Sequence, residues 1–216
     1  MKYKAVIFDL DGTLIDTIED LGTAVNHALG KHGFPLHPMD AYRKKVGHGI
    51  RNLVTVSLPE ALQTDEAIID SCLADFKEYY TSHIDVHTRP YPGMVEIVAR
   101  LDVEGVKIAV ASNKFQSGTE FLINEFFPGI PFVAVLGNRE GYPLKPDPEI
   151  VGEVLRKAGC TREDAVLVGD SLTDMKTAEN GGIKGLAVSW GYRPMDGIPG
   201  VSVAHSPAEL WALLNS

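Results

Sequence analysis

Five short runs rich in valine, isoleucine and alanine punctuate the chain, each bounded by turn residues: Lys4 to Phe8, Val106 to Ala111, Phe132 to Leu136, Ala165 to Val168 and Gly185 to Ser189. Their hydrophobicity is continuous rather than alternating, which predicts strands buried on both faces. Between them apolar residues recur at three- and four-residue spacing, as in Met94, Ile97, Val98 and Leu101, then Ile150, Val151, Val154, Leu155 and Ala158. That spacing predicts amphipathic helices. Asp147, Pro148 and Gly159 supply a cap, a first turn and a stop for the helix near 150. Ser206 to Glu209 reads as a capping box opening a last helix that buries Leu210, Leu213 and Leu214. Strand and helix alternate, so the expected fold class is α/β, a doubly wound parallel Rossmann-like sheet with its ligand at the carboxyl ends of the strands.

One connection breaks this pattern. The stretch between Phe8 and Val106 is several times longer than a single crossover helix needs. It carries no strand pattern from Thr17 to His83. Ile18, Leu21, Val25, Ala28 and Leu29 form one helical face, and Ile68, Ile69, Cys72, Leu73, Phe76, Tyr79 and Tyr80 form another. The expected organisation is therefore an α/β core of residues 1–15 and 89–216 with a helical insert of residues 16–88. Thr17 to Asp20 resembles a capping box at the entry, and Arg89-Pro-Tyr-Pro-Gly93 is a stiff return segment. Because both crossings fall near the end of the first strand, the insert is expected to cover the site and to open and close over it.

Composition narrows the function classes. The chain has 216 residues, 44% hydrophobic and 23% charged, as globular proteins do. Twenty basic against 29 acidic residues give a formal charge of -9, which argues against general affinity for nucleic acid or an anionic membrane. Apolar runs fall far short of the about 20 residues a bilayer crossing needs, and the start has no signal-peptide apolar region. The expected location is the cytoplasm. Cys72 and Cys160 stand apart and outside any CxxC, which suits a reducing compartment.

The chemistry-bearing residues fall at the strand ends. Asp9-Leu-Asp11-Gly12-Thr13 follows the first strand, and two such close carboxylates repel unless a cation or a shared proton offsets the charge. Magnesium suits them, since it takes oxygen ligands and pairs carboxylates with substrate phosphate. Gly12 allows close backbone approach to a phosphate, with N–H groups turned toward it. Ser112-Asn113-Lys114 ends the second strand and offers hydroxyl and amide donors. Lys145-Pro-Asp147 follows the third, where a lysine would neutralise a nucleophile and a phosphate together. Gly169-Asp170-Ser171-Leu-Thr-Asp174 ends the fourth, with two further carboxylates in reach of one metal.

Across essentially the whole chain these four motifs resemble those of the haloacid dehalogenase-like hydrolases. The insert resembles that family's C1-type cap. Val46-Gly-His-Gly-Ile-Arg51 and Ala187-Val-Ser-Trp-Gly-Tyr192 point to the phosphoglycolate-phosphatase-like subgroup. The resemblance implies that Asp9 attacks phosphorus to give an aspartyl-phosphate and that Asp11 serves as acid and base. It implies magnesium on the Asp9 side chain, the Asp11 carbonyl and Asp170, with Asp174 as ligand or support. Ser112, Asn113, Lys145 and the backbone at Gly12 and Thr13 would hold the phosphoryl group. Asp11 favours phosphate chemistry over the family's dehalogenases and phosphonatases, whose leaving groups need no acid there. The implied partner is a small phosphate ester, first of all phosphoglycolate, and the implied assembly a monomer or homodimer. Other phosphomonoesters, pyrophosphate, phosphoglucomutase-like transfer and a phospho-aspartate signalling module are the alternatives.

Specificity is expected in the insert. Gly47, His48 and Gly49 form a loop able to approach a ligand, and Arg51 suits a small carboxylate. Lys44 and Lys45 read as solvated. His83, Asp85 and His87 alternate as a metal site on a strand would, but sit at the return hinge and read as structural.

Overall fold

The computed structural model describes residues 1–216, which divide into two compact units, Met1–Asp16 with Pro90–Ser216, and Thr17–Arg89. In chain order the elements are β1 (Ala5–Phe8), β2 (Ile15–Asp16), α1 (Ile18–Lys31), α2 (Met39–Tyr42), α3 (Gly49–Thr55), α4 (Glu66–Thr81) and β3 (Arg89–Pro90). There follow α5 (Met94–Val103), β4 (Lys107–Phe115), α6 (Gln116–Phe126), β5 (Ala134–Asn138), α7 (Glu149–Ala158), β6 (Ala165–Gly169), α8 (Leu172–Gly181), β7 (Lys184–Val188), β8 (Ser202–Ala204) and α9 (Pro207–Asn215).

The first unit is built on a six-stranded sheet in the order β5-β4-β1-β6-β7-β8. Every pairing is parallel, with Phe8 opposite Val110 on one side and Val168 on the other. The order reverses at β1, which is where a doubly wound sheet opens a crevice beyond its strand ends. Ile7, Ala109, Ala111, Leu136 and Leu167 pack with Val151 and Val154 of α7 and Ala178 of α8 in one buried cluster. The strands are apolar on both faces because helices cover both. In α7 the start falls one residue later than expected: Pro148 itself stands at the N-cap, Asp147 before it accepts from the Glu149 N–H through Oδ1 at 2.9 Å, and Gly159 closes the helix at φ 64° as predicted.

β4 runs farther than its apolar pattern predicts. It continues to Phe115 through a register shift against β5 between Ala111 and Phe115. Such a bulge re-aims consecutive side chains, and Ser112, Asn113 and Lys114 are all buried there. In α9 the Ser206 hydroxyl accepts from the Glu209 N–H, but the Glu209 carboxylate returns to the His205 N–H, one residue earlier than a capping box requires. Leu210 and Leu214 are buried, whereas Leu213 is only half-buried.

The second unit is helical, and α1 packs on α4 through the apolar faces read from the pattern. Its entry differs from expectation. Thr17 makes no side-chain cap. The buried Asp20 carboxylate instead crosses to the return segment, accepting from the backbone N–H groups of His87 and Thr88 and from the Thr88 hydroxyl at 2.8–3.0 Å. Lys45 is not simply solvated. Its ammonium donates to the Val56 carbonyl at the end of α3 at 3.0 Å, where a cation meets the negative end of the helix. His83 stacks on Tyr79 with ring centroids 4.0 Å apart, and residues 83–87 form turns and bends rather than a strand. No helix is long and apolar enough to cross a membrane.

Candidate active site

Three carboxylates converge at the strand ends. One oxygen from each of Asp9, Asp170 and Asp174 lies within 4.8 Å of the others, and all three residues are buried. Asp9 follows β1 and Asp170 follows β6, adjacent parallel strands paired up to Phe8 opposite Val168, so both carboxylates emerge beyond the same end of the sheet. Lys145 enters between them. Its ammonium lies 2.9 Å from Asp9 Oδ1 and 2.7 Å from Asp174 Oδ1, with its side chain 2% exposed. The other oxygen of Asp174 accepts from the Ser171 N–H at 3.1 Å and the Ser171 hydroxyl at 2.6 Å, closing a capping box on α8. Asp174 therefore positions a lysine and a turn at once.

The charges do not balance. Burial, reinforced by the Asp174 and Asp170 charges, pushes the Asp9 carboxyl up to about 8 against the pull of Lys145. Burial and the Asp174 charge push Asp170 up to about 7, opposed by the N–H of Tyr192. Burial pulls the Lys145 ammonium down, yet Asp174 and Asp9 outweigh it and raise the group above its ordinary value. A site of buried oxygen donors that is short of positive charge fits a hard divalent cation.

Asp11 has its own cation. Lys114 Nζ lies 3.2 Å from Asp11 Oδ1, with the lysine side chain 1% exposed. The motif reading passed over this residue, although a lysine continuing an apolar buried run must find an acidic partner. The Asn113 amide is committed to Lys145: it accepts from the Lys145 N–H at 2.8 Å and donates to the Lys145 carbonyl at 3.2 Å. Gly12 sits at φ 88°, and a Cβ there would run into the Asp170 carboxylate. The Thr13 hydroxyl is buried with no hydrogen-bond partner. Gly47 and Gly49, at φ 112° and 81°, flank the exposed His48 before α3. Arg51 is held by Glu66 and Asp70 of α4, and all three side chains are solvent-exposed.

Residues 6–188 match the haloacid dehalogenase-like hydrolase family. The chain belongs to the haloacid dehalogenase-like hydrolases. It is 36% identical over 193 residues to a phosphoglycolate phosphatase of Mesorhizobium japonicum, covering 89% of this chain and 85% of that one. It is 33% identical to a phosphoglycolate phosphatase of Caulobacter vibrioides, covering 93% and 86%. A crystal structure from Lactobacillus delbrueckii subsp. bulgaricus superposes with a TM-score of 0.92 at 32% identity over 99% of both chains. Membership in this hydrolase family accounts for the placing of all four polar clusters on one edge of the sheet.

Proposed function

We propose that this chain is a magnesium-dependent phosphatase of small phosphomonoesters, with phosphoglycolate as its substrate. The observation that carries the reading is the gathering of Asp9, Asp170 and Asp174 around Lys145 at the ends of β1 and β6. The activity named for the Mesorhizobium and Caulobacter relatives supports the substrate. Asp9, Asp170 and the Asp11 carbonyl would hold the ion, while Asp174, engaged on both oxygens, supports Lys145. When bound, magnesium offsets carboxylate repulsion and draws charge from the phosphoryl oxygens.

In the first half-reaction an Asp9 oxygen attacks phosphorus and the ester P–O bond breaks. Asp11 gives its proton to the departing alkoxide, leaving an aspartyl-phosphate and a free alcohol. In the second, Asp11 takes a proton from water, whose oxygen attacks phosphorus. Inorganic phosphate leaves and Asp9 is regenerated. Lys145, Ser112 and the backbone N–H groups of Gly12 and its neighbours stabilise charge on the phosphoryl oxygens. Asn113 acts on that group through Lys145, and Gly12 and Thr13 shape the turn that receives it.

Specificity resides in the helical unit, acting as a cap. There Gly47, His48, Gly49 and Arg51 are the candidates for recognising the leaving group, with Arg51 exchanging its exposed partners for the substrate carboxylate. A cytoplasmic location fits two unpaired cysteines. Phosphate release from phosphoglycolate, sugar phosphates, nucleotides, pyrophosphate and p-nitrophenyl phosphate, with and without magnesium and beside Asp9→Asn, tests the reading. Release should require both magnesium and Asp9 and be greatest from phosphoglycolate. Release that survives Asp9→Asn refutes the mechanism, and a different ranking refutes the substrate.

A further inference from the structure

Asp170 faces a mechanical problem. It shares a space of a few ångströms with two other carboxylates and is 2% exposed. Repulsion would turn its side chain away unless the surroundings forbid the turn. Two backbones do so. A Cβ on Gly12 would overlap the Asp170 carboxylate from one direction, and a Cβ on Gly191 would overlap its Cβ, its Oδ2 and the Gly12 carbonyl from another. The φ of Gly191 is not in the left-handed region, so glycine is needed there for space rather than for conformation.

The segment carrying Gly191 is pinned on both sides. The Tyr192 N–H donates to Asp170 Oδ2 at 2.7 Å. Trp190 Nε1 donates to the Thr13 carbonyl at 3.1 Å, and the Tyr192 hydroxyl donates to Asp16 Oδ1 at 3.3 Å. The strap therefore joins the turns after β1, β6 and β7. We propose that Trp190-Gly191-Tyr192 is a positioning segment for the divalent-cation site, holding the Asp170 carboxylate in its binding orientation by direct backbone contact. The proposal rests on the metal-dependent reading above and extends it to residues that donate nothing to the ion. Groups that orient a metal ligand are worth about 10- to 100-fold in metal affinity.

The test is Mn2+ binding to the whole chain, read as loss of the free-ion electron paramagnetic resonance signal, for the unaltered protein, Gly191→Ala and Trp190→Phe. Circular dichroism and metal-free melting run alongside. Gly191→Ala should fold, bind Mn2+ about 10- to 100-fold more weakly, and recover phosphate release at raised Mn2+. Trp190→Phe loses only the bond to the Thr13 carbonyl and should weaken binding severalfold. A folded Gly191→Ala with unchanged affinity overturns the proposal. Should Gly191→Ala not fold, Trp190→Phe decides, and unchanged affinity in it overturns the proposal. An unaltered chain that binds no Mn2+ overturns the metal-dependent function and this inference together, whereas normal binding in the parent and variants overturns this inference alone.

Discussion

Lys145→Met removes the ammonium that Asp9 and Asp174 share. The three side chains are 2%, 12% and 0% exposed, so water cannot take the lysine's place. Stripping one partner from a buried ion pair costs about 3–5 kcal/mol. For a chain of this size each kcal/mol moves the melting temperature by about 2–4 °C, so the expected fall is roughly 6–20 °C. The fall should depend on pH. Lys145 holds the Asp9 carboxyl down, and without it that carboxyl rises further above its value of about 8. At low pH Asp9 is protonated with or without the lysine and the penalty shrinks, whereas it grows as pH rises past about 8, where only the parent's Asp9 ionises. Differential scanning calorimetry with chelator at pH 5.5 and 8.5, on parent and variant, measures both effects. A fall of less than about 3 °C at pH 8.5, or equal falls at the two pH values, would refute the charge argument.

Three further outcomes follow from the same geometry. Asp9 and Asp170 sit at about 8 and 7 in the fold, above the about 3.9 of an unfolded aspartate. Their contribution to stability is thus full below about pH 4 and lost as pH rises toward 8. Metal-free protein should melt lower at pH 8.5 than at pH 5.5 on their account, magnesium should restore more at the higher pH, and calorimetry in buffers of different ionisation enthalpy should show proton release on binding. No release at pH 6.5 would sink this account. Lys114→Met should slow hydrolysis of alkyl phosphates about 10- to 100-fold more than that of p-nitrophenyl phosphate, because a misplaced Asp11 matters most where the leaving oxygen needs an acid; equal losses would remove Lys114 from the acid's support. Arg51→Ala should weaken use of phosphoglycolate severalfold more than use of p-nitrophenyl phosphate, which bears no carboxylate, and parallel losses would return Arg51 to its surface pairs with Glu66 and Asp70.

Much of the fold was legible because buried parallel strands carry an unbroken apolar code. The starts of β1 and β6 fall within a residue of the predicted runs. β8 was missed, since Ser202-Val-Ala204 at the sheet edge is short and only partly buried. The end of β4 was misjudged because its last residues are polar, and only tertiary pairing through the bulge keeps them in the sheet. Asp9 and Asp170 could be found directly after strands, where polar residues interrupt apolar runs, and Lys145 and Asp174 from the motifs that follow, in the loop after β5 and in α8. What stayed hidden was pairwise commitment: Asn113 to the Lys145 backbone, Lys114 to Asp11, and Tyr192 to Asp170. Each spans a long separation in sequence, and no local period encodes such a meeting. Asp20 shows the same limit, for its spacing from Thr17 suggested a local cap while its carboxylate serves a segment near residue 88.

The closure of the chain on both sides of its excursion bears on how such proteins change hands. Asp20 gathers the two ends of the helical unit. On the other side of the crossing, the Tyr91 N–H donates to the Leu14 carbonyl at 3.0 Å. Each unit thus brings its own broken ends together, as a plug and a socket do. A short turn joining Asp16 to Pro90 should leave the sheet's register untouched, and a foreign module whose termini lie equally close should be accepted in the same place. On the proposed reading, in which specificity lies in the helical unit, substrate range would be exchanged through that one insertion point while the core's carboxylates and lysine stay as they are.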